Sequence, residues 1–225
     1  MLRAQSGFDD PKTKKMAILK DGINGPFSGK VGSVVGYELN GQAIIRGLPN
    51  YIKRKPSPLT VINRNRMKAV SKFLAPINET IKFGYKNLAP PGSRIGAFQK
   101  AQSYIFKTAL DYNEDTIPYV NPEKVLVFRG NLRIPVVTSL NRDKNNLTIA
   151  WEAQRYQGKH YNILLLAYDI ENESIIYDEG ASTISGQLEW QLPEHFSKIE
   201  QLHIYFGVLD MFTGEMSDSV YAGCI

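Results

Sequence analysis

The stretch YNILLLAY, at residues 161–168, is an almost unbroken apolar run with a tyrosine at each end. It belongs to a series of short runs in the second half of the chain that are rich in β-branched and aromatic residues and separated by turn-forming residues. The series is KVLVFR (124–129), RIPVVTS (133–139), LTIAW (147–151), YNILLLAY (161–168), SIIYD (174–178), QLEWQL (187–192), LHIYFGVL (202–209) and SDSVYAG (217–223). Seven or eight short strands at this spacing predict an antiparallel β-sandwich of the immunoglobulin or fibronectin type III kind.

The segment before these strands has the periodicity of a helix. From residue 59 to residue 87, apolar side chains recur at steps of three and four, with basic residues between them. Pro76 is expected to break this helix near Ala75, because proline cannot donate the backbone hydrogen bond of a helix interior. A second amphipathic helix is predicted over residues 94–110, with Ser93 as its N-cap.

A hairpin is predicted further towards the N-terminus. Two β-branched runs, at residues 31–37 and 42–48, flank the dipeptide Asn40-Gly41. This arrangement is the strongest short-range signal for a β-hairpin. Glycines within a strand mark bulges or the close approach of another backbone, so we expect this ribbon to lie against a neighbouring molecule. The glycines concerned are Gly29, Gly32 and Gly36.

These patterns predict an α+β chain in three parts. Residues 1–15 are an N-terminal arm or leader, residues 16–115 a basic region with the hairpin and two or three helices, and residues 116–225 an acidic β-sandwich domain of seven to eight strands. No apolar run approaches the length of a membrane span, and no signal peptide is visible. We therefore expect synthesis in the cytoplasm and a final place there or in an assembled virion or particle.

Charge is divided unequally along the chain. The formal net charge is +5. Residues 1–110 contain 19 Lys and Arg against 5 Asp and Glu, whereas residues 111–225 contain 8 against 17. Surfaces of opposite charge steer association and fix its register, so two copies are expected to attract each other head to tail. A contact of that kind can propagate into rings or filaments.

The first functional hypothesis is a non-enzymatic structural subunit that assembles with copies of itself, and with other particle proteins, into a virion, tail or filament. Its basic half would meet the acidic half of a neighbour through the glycine-spaced ribbon and the proline-bounded connector at residues 49–58. The candidate assembly contacts are Gly29, Lys30, Gly32, Gly36, Tyr37, Tyr51, Lys53, Arg54 and Lys55.

Two alternatives stay open. The basic half could instead bind nucleic acid phosphates, with the candidate contacts Arg64, Arg66, Lys68 and Lys72 on the first predicted helix. The β-sandwich could also serve as a surface adhesin or ligand-binding module, which would require export of the chain.

The sequence offers little for catalysis, a metal or a cofactor, and we expect none of the three. The stretch from Gly25 to Val31 resembles a phosphate-binding loop, but only three residues separate its glycines and Val31 replaces the Ser or Thr that would hold magnesium. The histidines His160, His195 and His203 lack the spacing of a ligand pair. The single cysteine, Cys224, excludes an internal disulfide.

The opening and closing motifs resemble those of a Bacteroidota family of unknown function. The opening motif is Gly-x-Phe-Ser-Gly-Lys-Val-Gly-x-Val-Val-Gly, which here runs from Gly25 to Gly36. The closing motif is Ser-x-Ser-x-Tyr, with Ser217, Ser219 and Tyr221. The resemblance spans residues 16–223 and implies a C-terminal half like a β-sandwich. It implies no activity.

Overall fold

A computed structural model describes residues 17–19, 25–39, 41–48, 55–153 and 161–225. The chain divides into two compact units, Met1–Arg54 (unit 1) and Lys55–Ile225 (unit 2). The predicted arm at residues 1–15 lies outside the described residues. The described parts form a mixed α+β protein with three α-helices and thirteen strands. None of their helices is both long enough and apolar enough to cross a membrane.

Unit 1 contains a four-stranded antiparallel sheet. Its strands are β1 (Ile18–Leu19), β2 (Phe27–Val31), β3 (Val34–Leu39) and β4 (Gln42–Gly47), and they pair in chain order. The predicted hairpin is present as β3 and β4, with Gly41 at φ 81° in its turn. The expectation of one strand over residues 31–37 is wrong, because a turn at Gly32 and Ser33 separates β2 from β3. Gly32 has φ 55°, a conformation that glycine adopts without strain.

Unit 2 begins with three helices, α1 (Pro58–Leu74), α2 (Asn78–Gly84) and α3 (Ala97–Thr108). The Ser57 hydroxyl accepts a hydrogen bond from the Thr60 amide at 3.3 Å and so caps α1. The predicted break at Pro76 is confirmed, since α1 ends at Leu74. The predicted N-cap of the last helix is wrong. Gly96 occupies that position, and the Ser93 hydroxyl instead donates to the Ile95 carbonyl at 2.9 Å.

The remaining strands of unit 2 form three antiparallel groups. A short hairpin that the sequence did not reveal joins β5 (Leu110–Tyr112) to β6 (Pro118–Val120), and residues 115 and 116, where the sequence predicts a domain boundary, lie in its loop. A three-stranded sheet has the order β11-β8-β7, and a four-stranded sheet the order β10-β9-β12-β13. Their bounds are β7 (Val137–Asp143), β8 (Asn146–Trp151), β9 (Tyr161–Asp169), β10 (Ser174–Asp178), β11 (Gln187–Gln191), β12 (His203–Asp210) and β13 (Val220–Cys224).

The central strands β9 and β12 are buried on both faces. Alternate side chains such as Leu166 and Tyr205 join a core with the helices. The intervening ones, such as Leu165 and Phe206, join a second core with β8, where Trp151 is 3% exposed. The four-stranded sheet is therefore a middle layer between the helices and the three-stranded sheet, which accounts for the continuous apolar run in β9.

Residues 124–129 do not form the predicted strand. They form an irregular segment of unit 2, in which Lys124 ends a 3-10 turn and the chain bends at residues 127 and 128, and their backbone groups form hydrogen bonds outside any β-ladder. The Val127 amide donates to the Ser219 hydroxyl at 2.8 Å, and the Arg129 amide donates to the Gly84 carbonyl at 3.0 Å. Phe128 is fully buried, and a Cβ added to Gly207 would come within 2.6 Å of its ring. Because individual nearby groups form hydrogen bonds with the backbone of this segment, it needs no β-ladder.

The closing motif joins this irregular segment to the four-stranded sheet. Ser219 accepts from Val127, and the buried Ser217 hydroxyl accepts from the Val208 amide at 2.9 Å. The Tyr221 hydroxyl is 2.9 Å from Nδ1 of His203. Each polar side chain of the motif therefore forms a hydrogen bond with a group that folding withdraws from water. This role is structural.

Candidate functional site

The sheet of unit 1 exposes a large amount of apolar surface. Its exposed large hydrophobic residues are Ile18, Leu19, Val31, Leu39 and Ile45, and Leu48 directly after β4 is exposed as well. Ile45 on β4 is 62% exposed. Among the described residues, β4 pairs only with β3, so it forms one edge of the sheet. An exposed, apolar edge strand is a template for pairing with another chain.

The candidate assembly residues of unit 1 fall at different positions in this sheet. Gly29 pairs with Gly36, and Lys30 pairs with Val35. Gly36 is buried because the ring of Phe27 covers it, and an added Cβ would come within 2.7 Å of that ring. The neighbouring strand of the same chain therefore makes a close approach at this glycine.

The face of the sheet that carries Lys30 is basic and aromatic. Lys30 and Arg46 are both exposed and both pair with Val35, one from each side. The Arg46 guanidinium lies 5.6 Å from the centre of the Tyr37 ring. Gly32 and Lys55 are also exposed, whereas Tyr51, Lys53 and Arg54 lie outside the described residues.

The candidate nucleic-acid contacts on α1 divide between two sides of the helix. Arg64, Lys68 and Lys72 are exposed and follow one another at steps of four, which places them along one stripe. Arg66 instead packs inwards, with its guanidinium carbon 4.4 Å from the centre of the Phe106 ring and Nη2 donating to the Phe106 carbonyl at 3.4 Å. Arg66 therefore joins α1 to α3.

A groove of about 810 Å³ in unit 2 brings together residues that are distant in sequence. One set of side chains comes from α1, a second from the β5–β6 hairpin, a third from the turn between β9 and β10, and a fourth from the start of β12. At its base, the Phe73 and Tyr168 rings meet edge to face at 5.3 Å, and the Tyr168 hydroxyl donates to the Phe73 carbonyl at 2.9 Å. These contacts hold α1 against β9.

The groove has charged side chains of both signs. Lys68 and Lys72 line it from α1, and Glu171 and Glu173 line it from the β9–β10 turn. All four are exposed, and none forms an ion pair with another described residue. The turn is fixed by the buried carboxylate of Asp169, which accepts hydrogen bonds from the Glu171 and Asn172 amides at 3.0 and 3.2 Å.

His203 lines the same groove as a neutral imidazole. Burial lowers its pKa below the usual 6.5, and this effect exceeds the opposing influence of the Asp169 and Glu123 carboxylates. Its strand neighbours are Tyr168 and Cys224. Nδ1 is engaged with the Tyr221 hydroxyl, which leaves Nε2 without a hydrogen-bond partner among the described residues. His203 can therefore offer a ligand a polar ring without a charge.

The lowered pKa of His203 makes stability depend on pH. The unfolded chain binds a proton near pH 6.5 and the folded chain only at lower pH, so the free energy of unfolding should fall as the pH drops below 6.5. The variant His203→Asn keeps a polar group near Tyr221 and should show a smaller loss between about pH 7.5 and pH 5.5. Urea unfolding of both proteins at the two pH values measures the difference, and equal losses would contradict the assignment.

The other candidate reactive groups are not brought together. The ring centres of His195 and its chain neighbour Phe196 are 4.6 Å apart, with the two rings tilted by 45°. His160 lies outside the described residues, and burial raises the pKa of the Cys224 thiol. Within residues 17–19, 25–39, 41–48, 55–153 and 161–225, no group of three or more His, Cys, Asp or Glu could hold a metal ion.

The lysines of the groove are predicted from the sequence, whereas the groove itself is not. In the sequence Lys68 and Lys72 belong to a basic run, and the two glutamates belong to a turn. The groove lies where α1 packs near the end of β9, and the hydrogen bond from the Tyr168 hydroxyl to the Phe73 carbonyl joins these two elements. No local pattern in either segment signals that contact.

The fold and these surfaces define a mixed α+β protein with an exposed apolar sheet in one unit and a charged groove in the other. A family model for a family of unknown function (DUF6266) matches residues 26–223, and the chain belongs to this family. No curated protein and no solved structure matches the chain significantly.

Proposed function

We propose that this protein is a non-enzymatic structural subunit that associates with copies of itself through the sheet of unit 1. One observation carries the proposal, namely the set of large apolar side chains exposed on that sheet, from Ile18 to Leu48. A sheet is stable when at least one of its faces is buried against another layer. A second copy of the chain would supply that layer and would extend the sheet at β4.

The charge distribution supports a head-to-tail arrangement. Lys30 and Arg46 give the sheet of unit 1 a basic face, and residues 111–225 contain more than twice as many acidic as basic residues. A neighbour's acidic β-strand region therefore complements this face. Repetition of such a contact builds a ring or a filament, as in a virion, tail or similar particle.

The finer assignments of fold and family belong to the same proposal. We propose that the three-stranded and four-stranded sheets form a sandwich of the immunoglobulin or fibronectin type III kind, and the strand orders β11-β8-β7 and β10-β9-β12-β13 support this proposal. The burial of Trp151 and Phe206 between these sheets, with ring centres 5.6 Å apart, supports that likeness. We also propose that the family is a Bacteroidota family and that the motif from Gly25 to Gly36 is characteristic of it.

Self-association is tested by substitution at the edge strand. The variant Ile45→Lys places a charge on β4 and should shift the protein to monomers, because an edge lysine opposes strand pairing. The matched control Ile184→Lys changes a 49% exposed isoleucine of unit 2 and should leave the assembly unchanged. Size-exclusion chromatography with light scattering, over a range of protein and salt concentrations, gives the molar mass.

The outcomes of this experiment are distinct. Assembly that weakens as salt rises supports the electrostatic component of the contact. A parent protein that stays monomeric at every concentration overturns the proposal. Assembly that persists in Ile45→Lys removes β4 as the contact.

The connector is tested separately in the same assay. The triple variant Lys53→Glu, Arg54→Glu and Lys55→Glu reverses three positive charges and should lower the content of assembled protein without unfolding the chain, because like charges then face the acidic half of a neighbour. An unchanged molar mass would exclude the connector as a contact.

Nucleic-acid binding is the second candidate, and the stripe of Arg64, Lys68 and Lys72 on α1 favours it. Three cations along one helix face suit a phosphate backbone. Glu171 and Glu173 in the adjoining groove oppose it, because they would repel the same phosphates.

A further inference from the structure

We infer that the groove of unit 2 is a docking site for an extended peptide segment of a partner protein, with an acidic side chain of the peptide facing Lys68 and Lys72 and a basic side chain facing Glu171 and Glu173. The inference does not rest on self-association through the sheet of unit 1, since it concerns the groove residues of unit 2 and a different class of partner.

The size and lining of the groove suit a peptide. Its volume of about 810 Å³ lies within the range of roughly 300–1,000 Å³ that is usual for sites of drug-sized ligands, so it can hold a few side chains of a peptide. The base is apolar, with Phe73 6% exposed and Tyr168 1% exposed. On the β5–β6 hairpin, Ile117 is 57% exposed and Tyr119 is 45% exposed, so apolar side chains of a ligand would find contacts there as well.

The charges select the class of peptide. Two ammonium groups and two carboxylates line one groove and form no ion pair with other described residues, so all four can pair with a ligand. A polyanion would meet Glu171 and Glu173, and a polycation would meet Lys68 and Lys72. Only a ligand with both signs is complementary at both places.

The acidic part of the groove is held in place before any ligand arrives. The Asp169 carboxylate accepts from the Glu171 amide and also from Nδ2 of Asn172 at 2.6 Å. Glu173 has φ 54°, a left-handed conformation that is costly for a residue with a side chain. A preorganised turn reduces the entropy lost on binding. His203 adds an uncharged donor or acceptor through Nε2.

The test uses the full chain and three fluorescein-labelled hexapeptides with blocked backbone ends and the same apolar centre. One peptide has Asp at the first position and Lys at the last, the second has Asp at both, and the third has Lys at both. Fluorescence polarisation at about 50 mM salt, where charge pairs are only partly screened, gives each dissociation constant. We expect the mixed peptide to bind roughly three- to fivefold more tightly than either of the others, because each of the others loses one exposed charge pair and places a like charge there instead.

Charge reversal provides the matched controls. In Lys68→Glu with Lys72→Glu, the preference should change to the Lys peptide, and in Glu171→Lys with Glu173→Lys it should change to the Asp peptide. All four positions are exposed, so both variants should keep the parent's circular dichroism spectrum and melting temperature. This crossed change of preference is not produced by a general loss of structure.

Three results would overturn the inference. They are equal binding of the three peptides, no binding of the mixed peptide up to millimolar concentration, and tighter binding of a single-stranded DNA oligonucleotide than of the mixed peptide. The last result would favour nucleic acid as the ligand of α1. Light scattering on the same samples reports self-association separately, so failure of one proposal leaves the other measurable.

Discussion

Gly130→Ala should destabilise unit 2 by about 3 kcal/mol or more, because the added methyl group has no space. A Cβ at residue 130 would overlap the carbonyl group of Met216. That carbonyl already accepts a hydrogen bond from the Leu132 amide at 3.1 Å, and the Gly130 amide donates to the Asp218 carboxylate at 3.1 Å. The obstacle is backbone that is held from both sides, so a rotamer change cannot relieve the overlap.

The measurement is the free energy of unfolding in urea, with Gly180→Ala as the control. A Cβ at residue 180 would find its nearest neighbour, Oδ2 of Asp178, at 3.9 Å, which is an ordinary contact. The control should stay within about 0.5 kcal/mol of the parent. Equal stability of the two alanine variants would contradict the close packing of residues 125–130 against the backbone of unit 2.

Arg142→Ala should cost about 3 kcal/mol, because one guanidinium binds four backbone carbonyls. Nε donates to Lys144 at 2.9 Å, and Nη1 donates to Ile199 at 2.9 Å and to Ile225 at 3.2 Å. Nη2 donates to Phe196. Alanine would leave partly buried carbonyl groups without their donors.

Two further variants make the Arg142 prediction specific. Arg142→Lys should recover only part of the stability, because a single ammonium cannot reproduce the planar fork of donors. Arg94→Ala removes an exposed arginine and should change the free energy of unfolding by less than about 0.5 kcal/mol. Hydrogen exchange of the Ile225 amide, which donates to Leu202 at 3.1 Å, should accelerate in Arg142→Ala. Unchanged exchange and stability would contradict the role of Arg142.

Much of the secondary structure could be predicted because its signals are local. Alternating and continuous apolar runs predicted β8 to β13, and apolar side chains at steps of three and four residues predicted α1 and α3. Pro76 identified the break after α1 for a steric reason that operates within one turn of helix. These features depend on neighbours in the chain, which the sequence displays directly.

The errors arose where tertiary contacts decide the backbone. Residues 124–129 have a strand-like composition, yet Ser219 and Gly84 satisfy their polar groups. Ser93 has the residue type of an N-cap, but α3 begins after Gly96. The second burial layer on β9 and β12 was also missed, although the continuous apolar run in β9 is typical of a strand that is covered on both faces.

The candidate site was predicted only in part, for the same reason. The positive charge of α1 is visible in the sequence. Which of its basic residues face outwards, and that Arg66 packs inwards, depends on the position of Phe106. The proximity of Glu171 to α1 follows from the pairing of distant segments. A sequence pattern within one segment does not show which distant segment will lie beside it.

The middle position of the four-stranded sheet limits how the chain can be divided. Removal of α1–α3 would expose Leu164, Leu166 and Tyr205, all fully buried in the intact chain, to water at once. Such a fragment would have a continuous apolar surface and would aggregate before it could be studied. The smallest piece of this protein that can be expected to fold autonomously therefore starts near residue 55, ahead of the helices.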